Sequence, residues 1–307
     1  MAEPVRKRTS AWKILGIVVG VMLVSVIALL FWVRAAGARK VARMQERSRA
    51  RLENVKGADY RRSVLRGAAQ EGNAWDDYAQ AQAEVKKIPK AMKLGELVER
   101  SPKADPELGK AALAAHGVAI DHLRRGAGRA TARYPYDWEQ GSTMRMPGLL
   151  EINNTSNLAV LQARAFIDEG KPREAAGTLL DLAQYGRDTG ADGVLIAYMI
   201  GIAQLGRALD ETKDLLLAGK LDPGALEDLD RGLERLDGTF PSHGQAMLND
   251  ALLFGGSMIE SAGGGWWEQL LIADASERTS DAMALAAKTE SLPWGEAQNE
   301  IRRIEAE

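Results

Sequence analysis

Seven consecutive residues carry the most varied set of binding and reactive side chains in this chain of 307 residues. The segment 133–139 holds a guanidinium, two phenols, an indole and two carboxylates, and its proline indicates a loop rather than a helix. Loops with such groups are over-represented at binding sites, so the segment predicts a groove for a protein partner or a ligand. The candidate binding residues are Arg133, Tyr134, Tyr136, Asp137 and Trp138. The structural alternative is that the three aromatic side chains fill a gap between helix pairs, while Arg133 and Asp137 form a salt bridge.

The sequence contains no recognisable motif for metal, nucleotide or covalent chemistry. It has no cysteine, which excludes a disulfide framework, a thiolate metal site and a cysteine nucleophile. His116 and His122 are six residues apart, a spacing that does not give the shared helix face of a metal-binding pair. The glycine run 263–265 lacks the Lys-Ser/Thr that phosphate binding needs, so we interpret it as a hinge. The indoles of Trp266 and Trp267 after it either pack in the core or form an exposed contact patch. We expect no metal and no cofactor.

The strongest signal is an uncharged apolar segment near the N-terminus. Residues 14–33 are 20 consecutive residues without a charge, and 14 of them are Ile, Leu, Val or Phe. A helix of this length extends about 30 Å, the thickness of the hydrocarbon core of a bilayer. We predict a transmembrane helix over 12–33, preceded by a basic tail over 1–11. A cleaved signal peptide is the alternative, because 36–38 has the small-x-small form of a cleavage site, but the apolar run is longer than is usual for such a peptide.

Basic and aromatic residues flank the apolar segment on both sides. Residues 1–53 carry 11 Lys and Arg against 3 acidic residues, and we predict a basic juxtamembrane helix over 34–56 that contacts lipid headgroups. The candidate membrane-interface residues are Trp12, Trp32, Arg34, Arg39, Lys40 and Arg43. A solvated helix is the alternative. A nucleic-acid partner is not expected, because no aromatic platform is interleaved with the basic residues.

The sequence gives conflicting indications of the orientation of the predicted span. The C-terminal flank has the larger number of basic residues, which favours a domain in the cytoplasm. Long domains nevertheless translocate largely regardless of charge, and a cytoplasmic domain requires the four basic residues of the N-terminal flank to cross the membrane. We therefore favour a single-pass protein whose soluble domain lies outside the cytoplasm, in the periplasm.

The rest of the chain, 57–307, is predicted to be an all-α soluble domain. It is rich in Ala, Leu, Glu and Arg and lacks the alternation of apolar and polar residues that is typical of strands. No strand is expected, 88–104 is expected to be a linker, and the small residues Ala197, Gly201 and Gly206 are expected to let a neighbouring helix approach closely. The predicted helices cover 40–55, 58–70, 74–87, 106–125, 157–169, 172–188, 193–218, 223–236, 242–260, 266–289 and 293–306.

Parts of the chain resemble known helical proteins. The spacing of small and aromatic residues over 158–190, with Gly170 at the turn, resembles a tetratricopeptide-type helical hairpin. A wider resemblance is to uncharacterised bacterial proteins with an N-terminal anchor and an all-helical domain. It rests on this hairpin and on Arg133-Tyr134-Pro135-Tyr136-Asp137-Trp138, Leu221-Asp222-Pro223 and Leu292-Pro293-Trp294. The resemblance implies an irregular, partly tetratricopeptide-like array of antiparallel helical hairpins, and it implies no activity or ligand.

The sequence therefore predicts a membrane-anchored all-α protein that acts without catalysis. The expected function is that of an interaction or scaffold protein whose partners are the lipid bilayer and another protein held near it. The alternative is a cell-envelope hydrolase in which carboxylates such as Asp137 and Glu139 act as acid and base. Carboxylates that converge in a deep pocket would favour the enzyme, whereas a shallow concave face lined by aromatic residues would favour binding.

Overall fold

The computed structural model describes residues 11–99, 106–146, 148–191, 194–237, 241–261, 265–290 and 292–305. These residues form twelve α-helices and one pair of short strands, which confirms the predicted all-α fold with an N-terminal candidate span. The helices are α1 (Ala11–Lys56), α2 (Ala74–Val85), α3 (Leu94–Val98), α4 (Pro106–His116), α5 (Val118–Ala127), α6 (Leu149–Asp168), α7 (Pro172–Ala191), α8 (Leu195–Leu217), α9 (Pro223–Asp237), α10 (His243–Ser261), α11 (Trp266–Glu290) and α12 (Trp294–Glu305). The strands are β1 (Gln70–Asn73) and β2 (Arg129–Thr131), and 3-10 turns cover Lys90–Met92 and Trp138–Thr143.

Helix α1 is one unbroken helix of 46 residues, and its two halves have different surroundings. The exposed fraction of its large apolar side chains between Val19 and Trp32 runs from 45% to 71%. This half is long and apolar enough to cross a membrane, with a mean hydropathy of 2.2 over 18 residues. The other half packs against the folded domain and buries Met44 and Val55. The predicted domain boundary at residue 57 therefore lies after a segment that already belongs to the domain.

The second half of α1 forms a three-helix bundle with α10 and α11. Three ion pairs join α1 to α11, namely Lys40–Asp274, Arg43–Glu277 and Arg47–Asp281. The partners are 234 residues apart in each pair, so α1 and α11 run parallel at a constant register. Helix α10 runs antiparallel to both. Its Asn249 accepts a hydrogen bond of 2.5 Å from Arg51 Nε, whereas its later residue Gly255 lies beside Met44, earlier on α1.

Helix α7 is the centre of the larger helical body. All of its residues from Ala175 to Gly190 are buried, because α5, α6, α8 and α9 pack around it. Polar groups on a helix enclosed in this way need partners inside the protein. The main apolar core lies where α2, α5 and α6 meet α7, and its largest fully buried side chains are Tyr78, Leu123, Ile152, Leu158, Leu182 and Tyr185.

Glycines determine the close crossing of α7 and α8. A Cβ atom on Gly201 would lie 2.4 Å from the carbonyl oxygen of Gly186, and a Cβ atom on Gly186 would lie 2.8 Å from the carbonyl oxygen of Gly201. The two backbones are therefore in direct contact. Ala197 of the same stripe is also buried, whereas Gly206 faces open space. The predicted close approach is thus confirmed at Gly201 and is wrong at Gly206, while at Ala197 the structure shows burial in an apolar cluster.

Two predictions about the segment that follows α1 are wrong. The structure has no helix over 58–70, and it contains the strands β1 and β2, which pair in parallel. The segment is extended because its backbone bonds to a distant part of the chain. Arg62 N donates to Ala130 O at 2.9 Å, and Ala132 N donates to Tyr60 O at 3.1 Å. These long-range bonds outweigh the helix propensity of the segment.

The other predicted elements are present with shifted boundaries. The expected linker is ordered up to residue 99 and includes α3, which buries Leu94 and Leu97, while 100–105 lies outside the described residues. The predicted helix 106–125 is divided at Gly117 into α4 and α5, and α6 begins eight residues earlier than predicted. The hairpin predicted over 158–190 is formed by α6 and α7, and Gly170 ends α6 with a φ of +72°, which favours glycine.

The glycine crossing gives a first testable prediction. We expect Gly201→Ala to lower the free energy of unfolding by about 1–3 kcal/mol, because the added methyl forces two backbones apart. Gly206→Ala on the same helix is the matched control, and it should raise stability by up to about 1 kcal/mol through helix propensity alone. Denaturant unfolding of the full chain in detergent, followed by circular dichroism, measures both values. Equal changes in the free energy of unfolding for the two substitutions would contradict the close backbone contact of α7 and α8 at Gly201.

Candidate functional site

The aromatic residues of 133–139 continue a row of rings that starts in the core. The ring centroids of Trp75 and Tyr134 are 4.7 Å apart, those of Tyr134 and Tyr136 are 4.4 Å apart, and those of Tyr136 and Trp138 are 4.8 Å apart. Aromatic pairs at such separations add to the stability gained from burying their surface. The three predicted aromatic site residues therefore lie together, in contact with one another.

Trp138 ends this row in an apolar cluster between helices. It is buried with Val55 of α1, Val194 and Ala197 at the start of α8, and Leu253 of α10. The cluster is where the three-helix bundle meets the larger helical body. The row of rings thus fills a gap between helices, as the structural alternative from the sequence predicts.

The charged residues of the segment are exposed and do not form the expected salt bridge. The Arg133 guanidinium carbon lies 5.1 Å from the ring centroid of Tyr60. Asp137 accepts a hydrogen bond of 2.7 Å from Gln140 Nε2. Glu139 pairs at 3.0 Å with Lys56 on the surface. The carboxylates required by the hydrolase hypothesis, Asp137 and Glu139, are therefore surface groups with different partners.

The predicted membrane-interface residues divide into two groups. The exposed group consists of Trp32, Arg34 and Arg39, at the end of the apolar half of α1. Lys40 and Arg43 instead pair with the carboxylates of α11. Trp12 belongs to α1, and its side chain lies outside the described part of the chain. Part of the basic charge that the sequence assigns to lipid contact is thus used to attach α11.

Polar side chains around α7 converge on one buried carboxylate. Asp188 accepts hydrogen bonds from Tyr78 Oη at 2.7 Å and from Gln184 Nε2 at 2.8 Å, and Arg62 Nη2 lies 2.9 Å from it. Burial raises the pKa of Asp188, while Arg62 and Arg187 act in the opposite direction. Burial also raises the pKa of Tyr78 well above its ordinary value, so the phenol keeps the proton that it donates.

This network fixes the extended segment after α1 onto α7. Arg187 Nη2 donates to Ser63 O at 2.5 Å, and Gln184 Oε1 accepts from the N–H of Leu65 at 3.0 Å. Buried backbone groups without partners would each cost about 1–3 kcal/mol. The polar side chains of α7 provide those partners, and the fold therefore explains the network without a ligand.

A second buried carboxylate on α7, Asp181, pairs with an arginine that lines a cleft. Asp181 lies 3.2 Å from Arg66 Nη1 and 3.7 Å from Arg124 Nε. Burial raises the pKa of Asp181 to about 6, and the two arginines limit this rise. Arg66 also lines a cleft of about 530 Å³ with Arg173, Arg231, Arg235 and the acidic residues Glu174 and Asp228. The positive charge of this cleft is thus balanced in part by its own carboxylates.

An apolar groove of about 420 Å³ runs between α10 and α11. It is lined on α10 by Met247, Ala251, Phe254 and Met258, and on α11 by Ile272, Ala275, Thr279 and Met283. These positions recur every three or four residues and extend over about 16 Å, or three helical turns. Three of the side chains are methionines, whose flexible thioethers adapt to partners of different shape. We call this feature the methionine groove.

One carboxylate lies in the methionine groove. Asp250 is half-buried and accepts a hydrogen bond of 3.1 Å from the N–H of Leu195, the first residue of α8. This is its only hydrogen bond to the residues that the structure describes. Burial raises the pKa of Asp250. A carboxylate accepts several hydrogen bonds, so Asp250 retains the capacity to pair with a donor on a bound partner.

Comparison with known proteins finds no relative of the chain. No protein-family model matches it, and searches of the curated proteins and of the solved structures find no significant match. Within the described ranges, no three His, Cys, Asp or Glu side chains are grouped so as to hold a metal ion. A function for the chain therefore has to be proposed from its own geometry.

The methionine groove is absent from the sequence-based predictions, although the sequence contains a signal for it. Met247, Ala251, Phe254 and Met258 are separated by four, three and four residues, which puts them on one face of a helix. The spacing from Ile272 to Met283 on α11 has the same period. Each pattern alone is typical of a helix that faces the core. Only the packing shows that the two faces meet as an open groove.

Substitution of Trp138 separates a packing role from a binding role. We expect Trp138→Ala to lower the free energy of unfolding by about 3–5 kcal/mol, because it empties a buried cluster that joins three helices. The exposed neighbour Glu139 is the control, and Glu139→Ala should cost no more than about 1 kcal/mol. Denaturant unfolding measures both. A stable Trp138→Ala protein that loses a bound partner would instead support the predicted binding groove at this segment.

The raised pKa of Asp181 predicts a pH dependence of stability. Folded Asp181 binds a proton more tightly than unfolded Asp181, so the carboxyl destabilises the fold progressively as pH rises from about 4 to 6. The free energy of unfolding of the native chain minus that of Asp181→Asn should therefore fall over this range. The fall should not exceed about 3 kcal/mol, since one pKa unit corresponds to about 1.4 kcal/mol. A difference that rises with pH would show that the arginines outweigh burial.

Proposed function

We propose that the chain is a membrane-anchored binding protein that holds a protein partner close to the bilayer. The methionine groove is the single observation that carries this proposal. It is open, it is lined mainly by apolar side chains, and one of them, Met258, is 51% exposed. Apolar clefts with a few polar groups are the usual form of a binding site.

The dimensions and chemistry of the groove favour an amphipathic helix of the partner. A groove three turns long matches apolar anchors at positions i, i+3 or i+4, and i+7 of a bound helix. Asp250, half-buried among apolar residues, favours a helix that also presents a lysine or arginine beside those anchors. The proposed partner is therefore a protein segment with an apolar face and a basic residue.

The position of the groove supports the membrane part of the proposal. Asn249, next to Asp250, contacts Arg51, which is 18 residues beyond Val33 at the end of the apolar run. In a continuous helix this separation is about 27 Å. A partner in the groove would thus be held within about 30 Å of the hydrocarbon core. We also propose that the domain lies outside the cytoplasm, because long domains translocate largely regardless of flanking charge.

Crosslinking from the groove tests the proposal in cells. A photo-crosslinking amino acid at Thr279, an exposed position in the groove, should capture a partner through an amphipathic helix. Met258→Lys and Asp250→Asn should each reduce that crosslink about tenfold, which corresponds to a loss of about 1.4 kcal/mol. Asparagine retains an oxygen that accepts from the Leu195 N–H, so the second substitution removes the charge and keeps the cap on α8.

Leu217→Lys is the matched control for these substitutions. Leu217 is 78% exposed, at the end of α8, and does not line the groove. A partner that binds the groove should crosslink equally well to this variant and to the native chain. Capture of a protein that is indifferent to Met258→Lys and Asp250→Asn, or that contacts the groove through a segment without an apolar face, would overturn the proposal.

A further inference from the structure

The constant register between α1 and α11 fixes where α11 begins relative to the apolar half of α1. The ion pairs of the bundle join residues that are 234 positions apart. The register holds to within one residue at the start of α11, where a Cβ atom on Gly37 would lie 3.1 Å from Leu270 Cδ1. Both helices rise by about 1.5 Å per residue, so residues that differ by 234 lie at about the same height along the bundle.

This register brings the first turns of α11 to the end of the apolar run. Helix α11 begins at Trp266, whose backbone comes level with Trp32, and Trp267 comes level with Val33. Leu271 comes level with Gly37, which is four residues, or about 6 Å, beyond Val33. The headgroup layer on each side of a bilayer is about 5–7 Å thick. The first turns of α11 thus occupy the heights of that layer if α1 crosses the bilayer.

The composition at this height suits a headgroup layer. Leu271 is 67% exposed, whereas the next residue, Ile272, packs against the apolar cluster of the bundle. Trp32 on α1 is also exposed at this level. Tryptophan is enriched at membrane–water interfaces, where one end of the ring is apolar and the other is wet. The exposed Glu268 is compatible with headgroups and would be costly in hydrocarbon, so it limits the depth to the interface.

We propose that the start of α11, from Trp266 to Leu271, rests in the headgroup layer of the same membrane that α1 crosses. The lipid surface is the partner of this part of the domain. The inference depends on the proposed membrane span, and it adds a second membrane contact that the span alone does not require. It also provides a surface for the exposed Leu271, which no described contact covers.

The absence of cysteine makes this contact directly measurable in the full chain. Three single-cysteine variants at exposed positions carry the same environment-sensitive fluorophore, namely Val24→Cys in the span, Leu271→Cys, and Ala284→Cys further along α11. Ala284 is about 20 Å further from the membrane than Leu271, because 13 residues separate them on one helix. The labelled proteins are reconstituted in phosphatidylcholine vesicles that contain a quarter phosphatidylglycerol. Iodide quenching reports exposure to water, and a headgroup-labelled nitroxide lipid reports proximity to the interface.

The proposal predicts that Leu271 behaves as an interfacial position. Iodide quenching should be about threefold or more weaker at Leu271→Cys than at Ala284→Cys, because the headgroup layer restricts the ion, and the nitroxide lipid should quench Leu271→Cys more strongly. Equal iodide quenching at the two positions, with Val24→Cys protected, would overturn the second contact and leave the span intact. Quenching of Val24→Cys by iodide would overturn both the span and the contact that depends on it.

Discussion

The enclosure of α7 is the constraint on which the larger helical body depends. Its face carries Asp181, Gln184, Arg187 and Asp188, and every one of these is buried. Burying such groups without partners costs far more than a typical hydrogen bond returns. The chain therefore has to bring Arg62, Tyr78 and backbone groups of 63–65 to them. The extended segment after α1 and the two short strands are consequences of that requirement.

The continuity of α1 is the second constraint, and it links the fold to the proposed function. A flexible linker after the span would let the domain move freely above the membrane. Here the helix passes from its apolar half into the bundle without a break, and the ion pairs with α11 begin at Lys40, seven residues beyond Val33. The methionine groove belongs to the same bundle. Its height above the proposed membrane is therefore set by helix geometry rather than by linker length.

What could be predicted from the sequence depended on the range of the interactions involved. The apolar run of α1 and the α6–α7 hairpin were predictable, because residue spacing and Gly170 specify them locally. The extended backbone near Arg62 was not, because its partners on α7 are more than a hundred residues away. At 133–139 the residue types were enough to predict an aromatic cluster, whereas the burial of Trp138 between three helices depends on packing that the sequence does not show.

The ion pairs of α1 also change how its basic residues should be interpreted. A count of Lys and Arg treats each one as available to lipid headgroups, yet Lys40, Arg43 and Arg47 face carboxylates that α11 supplies. These pairs orient α11 along α1 and so determine which residues stand beside the end of the apolar run. A single helix that crosses a bilayer can tilt and rotate, since its anchors lie on its own axis. A second contact beside that axis, at the start of α11, would restrict both motions and give the methionine groove a fixed direction above the membrane.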